Sequence, residues 1–328
     1  MKKIAINGFG RIGRILCRIL SKYEDYQIVA INDLAEPKVL SHLLKYDSIH
    51  GRFLENVNYS EKSIIINNHE IIILNQPLIN QLPWKELGVD VVFECTGQFK
   101  TKQENMLHIH AGAKKVLLSS PSLTTDIPMV VLGVNDHILN KKDHIISNAS
   151  CTTNCAAPML KVLNDALSLE SAYITTVHSY TSDQNLHDGI HHDLRRARSA
   201  SSSIIPTTTG AAKALSRIFP SLELSGCGIR VPVSNCSLTD ITCLVKNTTD
   251  IYNVNKLFQS LAAQPKLKDI LFYNEDPIVS IDVKSSSYSC IFDSKLTYVA
   301  GNMIKVVGWY DNEYGYCSRL VDLLQKVI

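Results

Sequence analysis

A glycine pattern close to the amino terminus constrains the fold of this chain more than any other feature of its sequence. Gly8, Gly10 and Gly13 follow the apolar run KIAIN, and the residues after them place apolar side chains at helical spacing. Glycines at these positions permit a tight turn and let a helix pack closely on the preceding strand. A second apolar run, QIVAIND, ends at Asp33 after a stretch long enough for the crossover helix of a βαβ unit. The chain is therefore predicted to begin as a parallel α/β fold.

Further apolar runs predict how this first fold continues. VDVVFECTG, KKVLLSS and MVVLGV are short, apolar and end at or beside small residues, which is typical of buried parallel strands. SIIINNHEIIIL predicts a hairpin that turns at Asn67 and Asn68 and is expected to leave the sheet as an excursion. We predict a Rossmann-type, doubly wound domain over residues 1–150.

The sequence beyond Cys151 predicts a second domain of a different class. AYITTVHSY, CGIRVPV, SLTDITCLV, IVSIDV and MIKVVGWYD are strand candidates with fewer helices between them, which favours an α+β domain with a mixed or antiparallel sheet over residues 151–314. The long polar segment DLRRARSASSSIIPTTTG predicts an ordered functional loop.

Composition excludes several classes of protein. The 328 residues are 45% hydrophobic and 20% charged, with a net charge of +2, so neither nucleic acid nor an anionic membrane is expected as the main partner. No apolar run approaches the roughly 18 residues of a membrane span. The nine cysteines are odd in number, scattered and without CxxC pairs, which indicates a reducing, cytoplasmic setting.

Asp33 gives the glycine pattern a chemical interpretation. It lies about 20 residues beyond Gly13 at the end of the second strand, where a carboxylate can accept hydrogen bonds from an adenosine ribose. Such a carboxylate also repels the 2′-phosphate of NADP, so NAD is the predicted cofactor. A glycine turn that serves packing alone is the alternative.

Cys151 and His178 are candidates for a nucleophile and its base. Cys151 follows the strand candidate HIISN and begins the helix candidate CTTNCAAPMLKVLNDAL, where the helix dipole and backbone N–H groups lower the pKa of a thiol. His178 ends the strand candidate ITTVH. From the residues alone, a buried structural thiol and a structural histidine remain open. Cys155 lies one helical turn further on, but without a second ligand cluster we predict packing there and no metal site.

Hydroxyl groups and arginines predict an anion site. Residues 207–210, TTTG, run into the helix candidate AAKAL, and a helix N-terminus of this kind binds phosphate. Guanidinium groups for phosphate oxygens come from Arg195, Arg196, Arg198 and Arg230. A solvated basic loop is the alternative, and a nucleic-acid site is disfavoured because aromatic residues are absent from the run.

Five segments together resemble phosphorylating glyceraldehyde-3-phosphate dehydrogenases of the bacterial type. INGFGRIGR, LLKYDSIHGRF, SNASCTTNCAAP, DLRRARSASSSIIPTTTGAAKA and WYDNEYGY match that family in order over essentially the whole chain. The resemblance implies that Cys151 attacks the aldehyde with help from His178. A thiohemiacetal then gives its hydride to NAD, and inorganic phosphate cleaves the resulting acyl thioester to 1,3-bisphosphoglycerate, a step of glycolysis.

The resemblance also implies roles for further residues of this sequence. The site for the attacking phosphate would comprise Ser150, Thr152, Thr209 and Gly210. The site for the phosphate of the substrate would comprise Thr181, Asp183, Arg198 and Arg230. The cofactor would contact Gly8, Gly10, Arg11, Ile12, Gly13, Asp33, Thr96, Ser119, Asn312 and Tyr316, with Asn312 at the nicotinamide carboxamide.

Family membership would further imply a homotetramer, in which the loop around residues 180–204 packs near a neighbouring subunit's cofactor site. A final helix over about 315–328 would return to the first domain. Two departures stand out: Gly189 and Ile190 replace a Leu-Pro pair common in NAD-preferring bacterial members, which leaves NADP use possible, and RVPVSNCS differs from the commoner RVPTPTGS.

Two other functions compete with this interpretation. Erythrose-4-phosphate dehydrogenases share the cysteine, the histidine and the fold, but tend to lack the threonine of YTSDQ and the TTTG motif, both of which are present here. A pure binding protein would need neither Cys151 nor His178.

Overall fold

The structure, a computed structural model, describes all residues from 1 to 328, which divide into two compact units. Unit 1 comprises Met1–Val130, His137–Ala149 and Cys317–Ile328, and unit 2 comprises Val131–Asp136 and Ser150–Tyr316. None of the helices combines the length and the apolarity needed to cross a membrane.

Unit 1 is built on an eight-stranded sheet in the order β3-β4-β5-β2-β1-β6-β7-β8. Its elements are β1 (Lys2–Asn7), α1 (Arg11–Leu20), β2 (Tyr26–Asn32), α2 (Pro37–Lys45), β3 (Val57–Tyr59), β4 (Ser63–Ile66), β5 (His69–Leu74), α3 (Trp84–Leu87), β6 (Val91–Glu94), α4 (Lys102–His110), β7 (Lys115–Leu118) and β8 (Ile145–Ser147). From β5 to β8 all neighbouring strands are parallel. The order reverses direction at β1, which confirms the doubly wound Rossmann-type fold.

Unit 2 contains a mixed sheet whose main path runs β10-β11-β9-β12-β16-β14-β13, with β15 paired to β16. Its elements are α5 (Cys151–Leu167), β9 (Leu169–Ser179), β10 (Ile205–Thr207), α6 (Gly210–Ile218), β11 (Glu223–Val231), β12 (Ser237–Val245), α7 (Ile251–Ala262), β13 (Leu271–Asn274), β14 (Cys290–Asp293), β15 (Tyr298–Ala300) and β16 (Met303–Tyr310). The predicted mixed α+β class is confirmed. The last helix, α8 (Tyr314–Val327), begins in unit 2 and continues in unit 1.

Helix α5, which begins with the candidate residue Cys151, is buried along most of its length. Apart from Lys161, every residue from Thr152 to Leu163 is buried. The helix packs on β16 at Gly308, where an added Cβ would lie 2.6 Å from the sulfur of Cys290 and 3.0 Å from that of Met159. Only glycine permits so close an approach between this helix and the strand.

Three expectations about strands were wrong. The hairpin at Asn67 and Asn68 forms, with both residues at positive φ, but β5 pairs in parallel with β2 and so extends the main sheet. MVVLGV contributes only an isolated bridge at Met129, because the chain turns after it: Val131 N donates to Asn135 Oδ1 at 2.7 Å. IVSIDV forms a 3₁₀ helix at Ser280–Val283, since the Asp282 carboxylate accepts from the backbone of Val279 and competes with strand pairing.

Candidate active site

Unit 2 brings the two predicted catalytic residues together. Cys151 is the first residue of α5 and His178 is the penultimate residue of β9. The Cys151 Sγ lies 3.6 Å from His178 Nε2. Ser150 is the N-cap of α5 in extended conformation, and its hydroxyl accepts from the backbone N–H of Thr153 at 3.1 Å, so the cysteine is fixed at the start of the helix.

A tyrosine that was not predicted to belong to the site connects the elements carrying this pair. The hydroxyl of Tyr310, at the end of β16, lies 2.9 Å from Thr152 Oγ1 on α5 and 3.0 Å from Thr176 Oγ1 on β9. Its ring contacts His178 edge-on, and the residue is buried. One phenol therefore fixes the positions of the neighbours of both Cys151 and His178. Its position two residues before Asn312 in WYDNEYGY was the available sequence signal.

Nδ1 of His178 faces two groups, one an acceptor and the other a donor. Its Nδ1 lies 2.7 Å from the carbonyl oxygen of Ser179, to which Arg230 Nη1 also donates at 2.9 Å. The carbonyl can only accept, which favours a proton on Nδ1, and that tautomer leaves Nε2 as an acceptor facing the thiol. Arg230 Nη1, which can only donate, also lies 2.7 Å from Nδ1 and favours the other tautomer. Its permanent positive charge lies beside the ring.

Burial and this charge keep His178 neutral. Burial, reinforced by the charge of Arg230, lowers the pKa of His178 to about 3. Burial raises the pKa of the Cys151 thiol, against the opposing effects of Arg230 and of the Thr152 backbone N–H. The expected lowering of the thiol pKa by the helix terminus is therefore wrong for this state, because desolvation outweighs it. The pair is a neutral thiol facing a neutral base.

The predicted arginines separate into two groups. Arg230 lies beside His178, in register with it across the β9–β11 pair. Arg196 donates to Asp183 at 2.5 Å and to Thr207 Oγ1 at 2.8 Å, and its charge acts on Arg230. Arg198, which the family resemblance implied, instead binds Asp188 at 2.9 Å and is largely exposed.

Arg196 rather than Arg198 therefore joins the cluster that includes Arg230 and Asp183. Sequence could not separate the two, because both lie in one run, RRAR, without a periodic pattern. Thr181 begins the turn that carries Asp183, and its carbonyl accepts from Gln184 N at 2.9 Å.

A second helix N-terminus lies next to Arg196. Thr209 is the N-cap of α6, its hydroxyl accepts from Ala211 N at 3.2 Å, and Gly210 is the first helical residue. No heavy atom lies within 4 Å of the place where a Cβ of Gly210 would stand. Arg196 Nη2 donates to the carbonyl of Thr208 at 3.3 Å. Backbone donors and a guanidinium group thus meet at this terminus, as a phosphate requires.

The glycine turn of unit 1 has the geometry of a dinucleotide site. Gly8 has φ +92°, and a Cβ there would lie 2.7 Å from Thr96 N, while a Cβ at Gly13 would lie 2.3 Å from the carbonyl oxygen of Gly8. Gly10 has open space around it and caps α1 without a side-chain bond. The first N–H groups of α1 can therefore face an anionic ligand.

A cavity of about 380 Å³ adjoins this turn. Asp33 lines it, and its two carboxylate oxygens accept from the backbone of Phe9 at 2.8 Å and of Ala35 at 3.1 Å, which leaves further lone pairs for a ribose. The other lining residues are Asn7, Gly8, Gly10, Asn32, Leu34, Gln76, Pro77, Ile79, Cys95, Thr96, Gln98 and Phe99. The residues present fit the adenosine half of a dinucleotide.

The other residues expected at the cofactor have the following positions. Arg11 forms a bidentate ion pair with Asp47, so its guanidinium group binds a carboxylate of unit 1. Ile12 lies in the first turn of α1, and Ser119 N donates to Glu94 O at 3.0 Å.

In unit 2, Asn312 Oδ1 accepts from the hydroxyls of Ser179 and Ser237 at 3.0 and 2.9 Å, which leaves its amide nitrogen to donate elsewhere. Tyr316 is buried in α8. Cys155 is buried against the carbonyl of Gly308, and no group of three or more acidic, histidine or cysteine residues is arranged to hold a metal.

Comparisons with known proteins agree with this geometry. Residues 2–102 match the family model described as the glyceraldehyde 3-phosphate dehydrogenase NAD binding domain, and residues 150–312 match that of the C-terminal domain. The chain is 46% identical to glyceraldehyde-3-phosphate dehydrogenase 2 of Bacillus subtilis, over 99% of this chain and 96% of the relative.

It is 48% identical to the glyceraldehyde-3-phosphate dehydrogenase of Thermotoga maritima, over 100% of this chain and 99% of the relative. It is 47% identical to that of Geobacillus stearothermophilus, over 98% and 96% of the two chains. With two family models and full-length relatives in agreement, the chain belongs to the glyceraldehyde-3-phosphate dehydrogenase family.

Proposed function

We propose that the chain oxidises D-glyceraldehyde 3-phosphate to 1,3-bisphosphoglycerate with NAD and inorganic phosphate, through a covalent intermediate on Cys151. The family assignment supports the aldehyde and the cofactor. The observation that carries the chemistry is the 3.6 Å contact between the Cys151 sulfur and Nε2 of a neutral His178. A thiol next to a neutral base is the arrangement that nucleophilic catalysis at a carbonyl requires.

Each step of this proposal uses that pair. The Cys151 sulfur forms a bond to the aldehyde carbon while His178 Nε2 takes the thiol proton and gives it to the aldehyde oxygen, which yields a thiohemiacetal. Bound NAD supplies the acceptor for the hydride of that carbon. His178 takes the hydroxyl proton as the hydride leaves, so an acyl thioester stays on Cys151. A phosphate oxygen then bonds to the acyl carbon as the C–S bond breaks, and His178 returns its proton to the sulfur.

Two anion sites are proposed for the two phosphate groups. Arg230, Arg196 and the turn carrying Thr181 and Asp183 would hold the phosphate of the aldehyde. The N-termini of α5 and α6, with Ser150, Thr152, Thr209 and Gly210, would hold the attacking phosphate. This assignment replaces Arg198 by Arg196, because Arg196 contacts Asp183 and its charge acts on Arg230, whereas Arg198 is largely exposed and pairs with Asp188.

A steady-state assay tests the proposal directly. Glyceraldehyde 3-phosphate and erythrose 4-phosphate are each supplied with NAD or NADP, with and without phosphate, and Cys151→Ser serves as the inactive control. We expect turnover with the three-carbon aldehyde, NAD and phosphate. Without phosphate, a burst of reduced cofactor equal to one turnover should form and then stall.

Other outcomes would assign a different function. Sustained turnover of erythrose 4-phosphate without phosphate would favour the competing dehydrogenase, which the named relatives do not favour. Binding of NAD with no oxidation of either aldehyde would leave a binding protein.

We also propose a homotetramer in a cytoplasmic setting. The loop around residues 180–204 exposes Leu186, Ile190, Leu194 and Ile204, each at least 65% accessible, and such a concentration of apolar side chains favours burial against another subunit. All nine cysteines are free thiols, as in a reducing compartment. Light scattering of the parent and of Ile190→Ser tests the assembly, and cell fractionation tests the location. A monomeric parent would contradict the tetramer.

A further inference from the structure

A buried acid and a buried histidine lie behind the cofactor cavity of unit 1 and take no part in the chemistry proposed above. Glu94 ends β6 and His108 lies in α4, and they are 2% and 0% exposed. Burying a carboxylate is costly unless donors surround it. Two such costly buried groups indicate a role for this pair.

The hydrogen bonds of Glu94 and His108 show which groups donate and which accept. Trp84 Nε1, which can only donate, lies 2.9 Å from His108 Nδ1, so the histidine proton is on Nε2. That Nε2 lies 3.2 Å from Glu94 Oε2, which also accepts from Asn7 Nδ2 at 2.5 Å. The other oxygen, Oε1, accepts from both the backbone N–H and the hydroxyl of Thr96. Four donors converge on Glu94, which fits a carboxylate and excludes an amide in the same geometry.

Three of the groups connected to Glu94 line the cofactor cavity. Thr96, Asn7 and Asn32 are among the lining residues, and Asn32 Nδ2 donates to Asn7 Oδ1 at 2.7 Å. The Thr96 backbone N–H donates to Glu94, and its nitrogen lies 2.7 Å from where a Cβ of Gly8 would stand, so the glycine turn packs directly against Thr96. Glu94 thus holds the ends of β1 and β6 at the edge where the phosphate turn begins.

We propose that Glu94 and His108 are positioning residues for dinucleotide binding. His108, fixed by Trp84, orients the Glu94 carboxylate. Glu94 in turn preorganises Thr96, Asn7 and the Gly8 turn before the cofactor arrives. This inference rests on the proposed function to the extent that NAD is the ligand of the cavity.

Direct binding of NAD to Glu94→Gln tests the proposal without using catalysis. In the variant, one carboxylate oxygen of Glu94 becomes an N–H₂ group, which cannot accept. The two donors that faced this oxygen lose their acceptor, so the cavity wall must be reordered when NAD binds. We expect the Kd for NAD, measured calorimetrically, to rise about tenfold. The kcat at saturating NAD and the KM for the aldehyde should stay within about twofold.

Matched variants separate positioning from stability. His108→Phe keeps the bulk and loses both bonds, and should weaken NAD binding like Glu94→Gln; His108→Gln can donate to Glu94 and accept from Trp84, and should restore most of the affinity. Ser63→Ala removes a partly buried 2.6 Å hydroxyl contact to Ser60 towards the far edge of the same sheet, and should lower Tm without changing the Kd.

A spectroscopic signal reports on the same network. The chain has two tryptophans, and the fluorine NMR signal of fluorotryptophan at Trp84 can be assigned by comparison with Trp309→Phe. At saturating NAD the Trp84 signal should stay nearly unchanged in the parent, whose network is ordered before binding, and should shift in Glu94→Gln, whose network must reorder on binding. An unchanged Kd in Glu94→Gln, with only Tm lowered, would overturn the inference while leaving the proposed function intact. A parent that binds no NAD would overturn both.

Discussion

Replacing His178 by Asn gives the sharpest test of the base assigned at Cys151. The asparagine amide can keep the donor position of Nδ1 towards the carbonyl of Ser179, which lies 2.7 Å away. It removes Nε2, which lies 3.6 Å from the thiol and is the proton acceptor of the proposed mechanism. The change therefore isolates the loss of the base from the loss of local structure.

The magnitude follows from the ionisation of Cys151. Burial raises the pKa of this thiol above its ordinary value of 9.0, so at pH 7 only about 1% of it or less is thiolate without help. A variant without the base must react through that fraction, and we expect acylation to slow by roughly 10² to 10⁴. Because the thiolate fraction grows about tenfold for each pH unit below the pKa, the variant should recover at alkaline pH, up to and beyond pH 9.

A stopped-flow measurement of the first turnover is the appropriate assay, since release of products can mask a slower chemical step. The control is His137→Asn, an exposed histidine that should leave the burst unchanged. A burst within a few-fold of the parent, or a rate in His178→Asn that does not rise with pH, would refute the reasoning. NAD affinity should be retained.

The same residue predicts how stability depends on pH. The pKa of His178 is about 3 in the folded chain and about 6.5 when unfolded, so the unfolded state takes up a proton first as the pH falls. The associated stability is fully present above pH 6.5 and is lost towards pH 3, by an amount on the order of a few kcal/mol. Denaturant titrations from pH 7 to 4 should show a shallower loss in His178→Asn than in the parent.

Three further predictions follow from the site. Arg196→Ala should raise the KM for the aldehyde at least about tenfold, whereas Arg198→Ala should change it less than about threefold, because only Arg196 belongs to the cluster with Arg230; equal effects in steady-state kinetics would restore the choice made from sequence. NAD should be preferred over NADP by about tenfold or more in kcat/KM, and Asp33→Ala should narrow the gap; equal use of both cofactors by the parent would contradict this. Iodoacetamide should modify Cys151 before the other eight cysteines and abolish activity, because His178 lies beside its thiol and six of the other eight cysteines are buried. The reaction should be faster towards alkaline pH, and mass spectrometry showing uniform labelling with retained activity would count against it.

The sequence predicted the elements whose signal is local. The glycine turn, the Asn67-Asn68 hairpin and the helix from Cys151 to Leu167 each depend on residues that dictate backbone conformation within a few positions. The segment IVSIDV failed because Asp282 forms a local side-chain bond that an apolar count does not register. The hairpin failed only in its placement, because pairing of β5 with β2 joins residues about 40 positions apart.

In the candidate active site, too, the sequence predicted what depends on local residues and missed what depends on distant ones. Cys151 and His178 were recognisable from the family motif, but their 3.6 Å contact depends on how α5 meets β9, which no local pattern contains. The raised pKa of Cys151 was missed because helix position is visible in sequence while desolvation is not. The choice of Arg196 over Arg198 depends on their partners Asp183 and Asp188, which lie 13 and 10 positions before them in the loop, and only the folded chain separates the two arginines.

The close packing of α5 on β16 at Gly308 predicts how the enzyme loses its activity on heating. The helix that begins at Cys151 has no room to slide, since Cys290 and Met159 already fill the space beside that glycine. Its start is held to two strands through the hydroxyl of Tyr310. The nucleophile therefore cannot drift from its base while the sheet of unit 2 stays intact. Heat inactivation and cooperative melting of that unit should then be one event on one timescale, with no folded but inactive form accumulating before it.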